Sequence, residues 1–372
     1  MIRQIKQFTL NLIAGANIAV VIVMLIVGYS YYLHPGSHPW LACLGMLFPF
    51  TLAANLLFVP FWVFFSKPRL LIPIIGYALA YVPISIYLPL HLSGSDKPEG
   101  DDVLLVLSYN VAGYGGNYKC EYAFDSIYSY IQRFNPDIVC IQEAQTAKAH
   151  DKGKDYSKLY PYCDTVRVNK PSMSTVNSVG ICSRFPIIRK ERIMYESVSN
   201  GSVAYFLKKG DDTLLVVNNH LESTHLSEKD RTEYKSILKK GMERDLDRDT
   251  MKMETRFLVD KLGEAMVIRS KQAEAVNRYV EQYRQYPVIV CGDFNDTPIS
   301  YTRYMMSKGL TDCFAASGSG LGLSFNTSGF NFRIDYMMVS DDIEPLKCEI
   351  DSKMDVSDHY PLLCWLKMPE KP

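Results

Sequence analysis

The sequence predicts an α/β domain of packed sheets flanked by helices, preceded by three membrane-spanning helices. Two observations lead to this prediction. Residues 1–95 contain only four charged side chains, all basic, whereas the rest of the 372-residue chain alternates short apolar runs with longer amphipathic segments. A chain of this length has room for one large α/β domain and a membrane attachment.

Two uncharged stretches, 7–66 and 70–95, predict the membrane-spanning part. A bilayer core requires about 20 apolar residues per helix, which gives spans at 8–33, 40–65 and 70–91. Prolines in the third span predict a kink. The alternative is a cleaved signal peptide followed by a buried hydrophobic domain. It is less favoured because the apolar region is much longer than the apolar core of a signal peptide.

The four basic residues predict the orientation. Arg3 and Lys6 precede the first span, and Lys67 and Arg69 lie between the second and third. The turn between the first two spans contains no basic residue. Because short loops rich in Lys and Arg remain in the cytoplasm, we expect a multi-pass protein of the cytoplasmic membrane with residues 96–372 outside.

The soluble part is net acidic, with 36 basic against 40 acidic side chains after residue 95. Non-specific nucleic-acid binding draws most of its affinity from a basic face. The overall charge therefore does not favour that function, although a local basic groove remains compatible with it.

The nine cysteines do not predict a zinc site, because no pair has the required spacing. Cys140, Cys291 and Cys364 lie in apolar, strand-like runs and are expected to be small core residues. The sequence does not decide whether four others form disulfides: Cys120, Cys163, Cys313 and Cys348.

Eight short apolar runs predict strands in the soluble part. They are Val103–Ser108, Asp137–Ile141, Ser178–Ser183, Ala204–Lys208, Leu214–Asn218, Pro287–Cys291, Ile334–Val339 and Pro361–Leu366. Helices are expected at 120–134 and 250–285, and the highly charged stretch 227–250 is expected to be a helix-rich surface excursion. We place the domain boundary after residue 95, with a membrane anchor at 1–95 and a soluble domain at 96–372.

Polar side chains suited to metal binding or acid–base chemistry stand at the ends of six apolar runs. In chain order they are Asn110, Glu143, His220, Asp293 with Asn295, Asp335, and Asp358 with His359. Strand ends hold functional groups on a rigid scaffold. One such coincidence would be uninformative, but six in one domain predict a functional site.

These residue types fit phosphoester hydrolysis. A hard cation such as Mg²⁺ or Mn²⁺ takes oxygen ligands, which Glu143, Asp358 and Asn110 can supply, and it stabilises the charge that develops on a phosphoryl group. Asp293 beside Asn295 is suited to orienting and deprotonating water.

A histidine held by a carboxylate can move protons or stabilise phosphoryl charge. His359 with Asp335 fits this description, and His220 is a second candidate.

The same segments resemble the ordered motifs of the endonuclease/exonuclease/phosphatase superfamily, which includes DNase I, abasic-site endonucleases, inositol polyphosphate 5-phosphatases and neutral sphingomyelinases. The resemblance covers about 103–367 and implies a DNase I-like four-layer α/β/β/α sandwich with the site at one edge of the sheets. The matching motifs are Ser108-Tyr109-Asn110, Ile141-Gln142-Glu143, Asn219-His220-Leu221, Gly292-Asp293-Phe294-Asn295, Ile334-Asp335-Tyr336 and Ser357-Asp358-His359.

The resemblance also implies a role for each residue. Glu143 would be the main metal ligand, helped by Asn110 and Asp358. Asp293 and Asn295 would position water and phosphate, and Asp335 would orient His359. His220 would bind a phosphate oxygen or assist the leaving group. For Asn110 a turn-capping role, and for His220 a plain polar strand end, remain the alternatives.

Asn177 and Arg333 are expected to contact substrate. A turn role is an equal alternative for Asn177, and a surface salt bridge is an equal alternative for Arg333.

We therefore expect a membrane-anchored, metal-dependent phosphoesterase that acts on a membrane lipid or small phosphoester. The chain departs from better-known members of the family in its spans, in a charged insertion at 224–275, and in lacking an evident basic loop for probing DNA. A metal-dependent nuclease is the alternative, and an inactive membrane-tethered binding module is a lesser one. A transporter is disfavoured because the spans contain no charged residue.

Overall fold

The computed structural model describes residues 2–91, 97–115, 120, 122–144, 155–173, 176–224, 248–327 and 330–369. Most of the charged stretch 227–250, expected to be rich in helix, lies outside the described residues.

The N-terminal part is helical. Its helices are α1 (Ile2–Gly28), α2 (Pro39–Ala42), α3 (Phe48–Phe65), α4 (Leu71–Leu79) and α5 (Tyr81–Tyr87), with short 3-10 turns between them. Two helical stretches, Ile2–Tyr32 and Pro39–Phe65, are long and apolar enough to cross a membrane. The third predicted span corresponds to α4 and α5, which are bent by 64° and complete a third crossing if they act as one span.

The bend between α4 and α5 has a local cause. Pro83 has no N–H to donate to the carbonyl four residues earlier, at Leu79. The Tyr29 hydroxyl donates to this carbonyl instead, at 2.7 Å. The predicted kink is therefore present, and a side chain that directly follows α1 satisfies the freed carbonyl.

Buried amides hold α1 and α3 together. The side-chain amide of Asn17 donates to Asn55 Oδ1 at 3.0 Å, and the Trp62 indole donates to Asn17 Oδ1 at 2.9 Å. All three side chains are fully buried. The helices therefore pack through a neutral polar cluster.

The strands among the remaining described residues are β1 (Val103–Asn110), β2 (Ile138–Gln142), β3 (Tyr162–Arg167), β4 (Ser178–Ser183), β5 (Ile187–Ile193), β6 (Gly201–Lys209), β7 (Asp212–His220), β8 (Val288–Asp293), β9 (Thr311–Asp312), β10 (Phe325–Thr327), β11 (Phe330–Phe332), β12 (Asp335–Val339), β13 (Glu344–Ile350) and β14 (Leu362–Lys367). They form two six-stranded sheets. The first has the order β13-β14-β1-β2-β4-β3 and the second β5-β6-β7-β8-β12-β9, with a separate hairpin β10-β11.

Among the described residues, four α-helices accompany the sheets: α6 (Ala123–Phe134), α7 (Arg248–Glu281), α8 (Tyr301–Met306) and α9 (Cys313–Ser317). All eight predicted strands are present, and α6 and α7 confirm the two predicted helices within a few residues at each end.

Successive side chains of a strand point to opposite faces of its sheet, so that each sheet packs against the other sheet on one face and against helices on the other. In β1, Leu104 and Val106 face the core between the two sheets, whereas Leu107 and Tyr109 pack with α6 on the outer face. On the outer face of the second sheet, strands β6, β7, β8 and β12 pack against α7. Both faces of the central strands are thus covered, which is why they consist of nearly continuous apolar runs. The predicted α/β/β/α sandwich is confirmed.

Three cysteines are core residues, as the sequence predicted, and two others form a disulfide that the sequence left undecided. Cys140, Cys291 and Cys364 are fully buried in the core. Cys163 and Cys182, which face each other on β3 and β4, form a disulfide.

Candidate active site

Strand direction brings the predicted site residues to one edge of the sandwich. Parallel pairing aligns the carboxyl end of β1 with that of β2, and the end of β7 with that of β8. His220 thereby lies directly across from Asp293 in register. The antiparallel strand β12 begins at this edge, with Asp335 opposite Asp293. His359 precedes β14, which runs antiparallel to β1 and so begins at the same edge.

Asp293 lies at the centre of the cluster. Its Oδ2 accepts a hydrogen bond from Asn110 Nδ2 at 3.0 Å. The same oxygen is 3.6 Å from Nε2 of His220 and 3.6 Å from Nε2 of His359. One carboxylate oxygen therefore faces an amide and two imidazoles, which come from both sheets.

His359 is oriented by a second carboxylate. Its Nδ1 lies 2.8 Å from Asp335 Oδ2, so that Nε2 is directed at Asp293. The edge of the Phe325 ring packs against the imidazole, with ring centroids 5.0 Å apart. The backbone N–H of Asp335 donates to Ser324 Oγ at 3.0 Å. The imidazole thus has a fixed position as well as a fixed direction.

Burial perturbs both ionisable groups. Burial raises the pKa of Asp293 to about 7, against the lowering effect of the His359 charge. Burial alone would lower the pKa of His359, but the carboxylates of Asp335 and Asp293 outweigh it and raise that pKa well above its ordinary value. An acid and a base that both titrate away from their usual ranges are typical of a catalytic site.

His220 is held from its other side by Asn177. Asn177 Nδ2 lies 3.4 Å from His220 Nδ1, on the side of the imidazole away from Asp293. The same amide donates to Asn200 Oδ1 at 3.1 Å. Asn177 Oδ1 is buried and accepts no hydrogen bond within the described part of the chain. Asn177 is therefore part of the cluster and presents an unsatisfied acceptor.

Glu143 and Asp358 form the more open rim of the site. Asn110 Nδ2 lies 3.3 Å from Glu143 Oε1, and the Glu143 side chain is 28% exposed. Asp358 is half-buried, with Oδ1 3.4 Å from Ser357 Oγ, and the Ser357 hydroxyl donates to the backbone carbonyl of Asn110 at 2.8 Å. The structure thus brings the three predicted metal ligands to the ends of β1 and β2 and the start of β14.

Two residues of the predicted site, Glu143 and Asn295, have strained backbones. Glu143 has φ 55° and Asn295 has φ 54°, values in the left-handed region that non-glycine residues rarely adopt. The Asn295 conformation is held by its backbone N–H donating to Asp293 Oδ1 at 2.8 Å and by its side chain donating to the Leu221 carbonyl at 2.9 Å. Such strain persists where the surroundings over-determine it, commonly at functional sites.

The donor set fits a hard divalent cation. Within the described ranges, one group of acids and imidazoles has all its ligand atoms within 4.8 Å of one another: Asp293, Asp335 and His359. In that group Asp335 and His359 are already hydrogen-bonded to each other and are buried. This arrangement suits proton transfer better than the binding of a metal ion. Glu143 and Asp358 are partly exposed, and their carboxylate oxygens are the more accessible ligands for a cation such as Mg²⁺ or Mn²⁺. Asn110 faces Glu143 with its amide nitrogen, and its Oδ1 accepts from the Ala112 N–H at 3.1 Å.

The family model described as the endonuclease/exonuclease/phosphatase family matches residues 107–359, more than half of the chain. The chain belongs to this family. Membership makes it a hydrolase that acts on phosphoester bonds. A second model, described as a domain of unknown function (DUF8431), matches residues 10–87. No curated protein matches the chain.

Several solved structures have the same fold, and one of them is described as a protein of this family. A family protein from Bacteroides thetaiotaomicron is 18% identical, with a TM-score of 0.52 over 74% of this chain and 100% of that one. The human Nocturnin catalytic domain is 16% identical, with a TM-score of 0.51 over 73% and 96%. Humanized D. rerio TDP2 is 15% identical, with a TM-score of 0.50 over 72% and 99%.

One predicted residue of this family site lies elsewhere. Arg333 is fully buried, and its guanidinium donates to the carbonyls of Leu321 and Ile86 and lies 4.5 Å from the Phe314 ring centroid. The prediction that it contacts substrate is therefore wrong. Arg333 precedes β12 in an irregular connection, and it contacts the helical region instead of the cluster.

The sequence did not single out several supporting residues. Gln142 donates to Asn218 Oδ1 at 2.6 Å and so joins the two sheets behind the site. Asn200 donates to the Leu221 carbonyl at 2.6 Å. Gln142 lies within one of the motifs, but nothing in the sequence around Asn200 or Phe325 marks them as neighbours of His220 and His359.

Proposed function

We propose that the chain is a divalent-metal-dependent phosphoesterase that hydrolyses a membrane lipid or a small phosphoester at the outer face of the cytoplasmic membrane. One observation carries the proposal: Asp293, at the centre of an acid–base cluster, is followed six residues later by Ile299, which is buried against the membrane-type helices. A catalytic group this close to the apolar helices suits a substrate presented by the bilayer.

Glu143, with Asn110 and Asp358, would hold Mg²⁺ or Mn²⁺. When bound, the ion would draw charge from the phosphoryl oxygens and stabilise the charge that develops there. Asn110 Nδ2 donates to Glu143 Oε1 at 3.3 Å and so orients this carboxylate, and Asn110 Oδ1, which accepts from the Ala112 N–H at 3.1 Å, would be the ligand atom of the amide.

Asp293 and His359 would divide the proton chemistry. Asp293, whose pKa is raised to about 7, is suited to accept a proton from water near neutral pH. Asn295 holds the Asp293 carboxylate through its backbone N–H. His359, kept protonated by Asp335, would donate to phosphoryl oxygen. His220, directed by Asn177, would contact a phosphate oxygen or assist the leaving group.

The charge balance supports a lipid or small phosphoester over nucleic acid. The soluble part has 36 basic against 40 acidic side chains, which weakens the electrostatic attraction that a nuclease uses. Tethering also raises the effective concentration of lipid head groups at the site. An extracytoplasmic nuclease is the second candidate, because the family whose model matches includes endonucleases and exonucleases.

The substrate class can be tested on the purified full chain in Mg²⁺. Head-group release from phospholipid and sphingolipid vesicles would be compared with cleavage of single-stranded and duplex DNA, with Asp293→Asn as the blank. We expect release from vesicles that the blank lacks. Efficient DNA cleavage without release from vesicles would favour the nuclease instead.

We further propose that residues 1–95 anchor the protein and that the catalytic domain, 96–372, lies outside the cytoplasm. Basic residues precede the first span and separate the second span from the third, which supports this orientation. The Cys163–Cys182 disulfide also supports it, since disulfides persist in oxidising compartments. Alkaline phosphatase fused after residue 372 in a bacterial host should be active and GFP fused there should be dark. The reverse pattern would contradict the proposed topology.

A further inference from the structure

The helical region contacts the catalytic domain through one set of helix ends, which we call the docking seam: residues 29–47 and 84–91. The Tyr31 and Tyr304 rings pack with centroids 5.6 Å apart. The Gly320 N–H donates to the Pro89 carbonyl at 2.8 Å. Ile299 of the catalytic domain is buried in one apolar cluster with residues of α1 and α3. The seam is therefore a packed interface.

Two glycines show how closely the seam fits. A Cβ on Gly45 would lie 1.8 Å from the Ile299 carbonyl oxygen, and a Cβ on Gly263 would lie 2.8 Å from Pro39 Cβ. Neither contact can be relieved by rotating a side chain alone. The backbone of the helical region therefore touches the backbone of the catalytic domain directly at Ile299.

Ile299 continues the catalytic loop. It follows Asn295 by four residues, so the two Cα atoms are at most about 14 Å apart. The intervening residues Asp296 and Thr297 are buried, and the Asp296 carbonyl accepts from the Tyr336 hydroxyl at 2.9 Å. Because the residues between them are held in place, a displacement of Ile299 is expected to displace Asn295 and Asp293 as well.

One helix, α7, connects the two loops that carry His220 and Asn295. Arg269 Nε donates to the Asp296 carboxylate at 3.3 Å, and Arg269 Nη1 donates to the Glu222 carbonyl at 3.0 Å. The Glu222 N–H donates to Gln272 Oε1 at 2.8 Å. Arg269 is only 1% exposed. A buried charge that bridges both loops fixes their separation.

The same helix supports the seam on either side of Arg269. Cys43 Sγ lies 3.9 Å from Met266 Sδ, three residues before Arg269. His34 Nε2 lies 3.1 Å from Glu274 Oε1, five residues after it. The helical region thus contacts the catalytic loops by two routes, directly at Ile299 and indirectly through α7.

We propose that the docked helical region is a structural component of the active site, with Gly45, Ile299 and Arg269 as positioning residues, so that hydrolysis requires the seam even when the substrate is soluble in water. This inference rests on the proposed hydrolytic activity but not on the lipid substrate. A tether alone would deliver lipid without affecting a soluble substrate, whereas the seam affects both.

The test compares Gly45→Ala with Gly15→Ala in the full chain, purified in detergent. Gly15 lies on α1 with no atom within 4 Å of an added Cβ, which makes it a matched control. Three readouts are taken: kcat and KM for bis(p-nitrophenyl) phosphate in Mg²⁺, maleimide labelling of Cys43, and hydrogen exchange of peptides that cover 219–223 and 293–299. Arg269→Lys is measured alongside, because it keeps the charge but loses the second donor.

For Gly45→Ala we expect faster Cys43 labelling, faster exchange in both peptides, and a fall in kcat approaching 100-fold with little change in KM, since small misplacements of catalytic groups have effects of this order. Arg269→Lys should lower kcat without exposing Cys43. Gly15→Ala should match the wild type in every readout.

Normal kcat in Gly45→Ala despite faster Cys43 labelling would overturn the inference, and so would unchanged labelling, because the seam would then not be closed at Gly45. An inactive wild type would refute the proposed function and with it the requirement of the seam for hydrolysis, whereas the exchange changes would still show separately that the seam holds both loops in place.

Discussion

The molecule contains two buried polar clusters that differ in charge and access. In the helical region, Asn17, Asn55 and Trp62 are neutral, satisfy one another and are closed to solvent. In the sandwich, Asp293 and His359 are ionisable, and the cluster opens to solvent at Glu143. Buried polarity alone therefore does not identify a reaction site. A better indication of a reaction site is a buried cluster of acidic and basic side chains that balance one another and that solvent can reach from one side.

The largest expected effect is at the charged cluster. Asp293→Asn keeps an oxygen for the Asn295 N–H but removes the proton acceptor, so kcat should fall by about 10²–10⁴-fold. The fall should occur with no change in the thermal midpoint of the full chain. Asp101→Asn, at an exposed carboxylate before β1, is the matched control and should be silent. Near-normal turnover in Asp293→Asn would remove this residue from the mechanism.

A smaller effect is expected at the rim. Glu143→Gln keeps shape and hydrogen bonding but loses the ligand charge, so Mg²⁺ should bind roughly 100-fold more weakly. Activity at low Mg²⁺ should fall accordingly and recover partly at high Mg²⁺. A Mg²⁺ titration of the rate measures this. An unshifted titration curve would show that Glu143 does not hold the ion.

The neutral cluster should affect stability and leave the rate of hydrolysis unchanged. Asn17→Ala removes two interhelical hydrogen bonds, and we expect a loss of about 1 kcal/mol in the free energy of unfolding. Thermal unfolding in detergent measures it, with the exposed Gln7→Ala on the same helix as control. A large loss of kcat at temperatures where Asn17→Ala remains folded would erase the distinction between the two clusters.

Sequence predicted the centre of the sandwich better than its margins. The eight strands that were predicted are the central strands of the two sheets, which are buried and therefore consist of unambiguous apolar runs. The missed strands include all four at the sheet edges, β3, β5, β9 and β13. Edge strands are short or carry polar residues, as Ile187–Ile193 does with its charged centre, because charge discourages pairing with other chains. Their pattern therefore resembles that of a loop.

The site was predictable for the same reason as the central strands. Polar residues such as Asp293 and His220 end apolar runs, and parallel pairing brings such ends together. Arg333 was misassigned because the chain between β11 and β12 is irregular. Its closeness to Asp335 in sequence therefore does not predict where its side chain points. The seam could not be predicted, since Gly45 meets Ile299 only after two distant segments have folded.

The most direct test of the central claim is the metal dependence of hydrolysis by the full chain. Turnover of bis(p-nitrophenyl) phosphate would be followed in Mg²⁺ or Mn²⁺, after EDTA, and after the ion is returned, with Asp293→Asn as the blank at each step. We predict activity that EDTA abolishes, that either ion restores, and that the variant lacks throughout. Activity that persists in EDTA, or that Asp293→Asn shares, would contradict the assignment of this strand-end cluster as a metal-dependent phosphoesterase site.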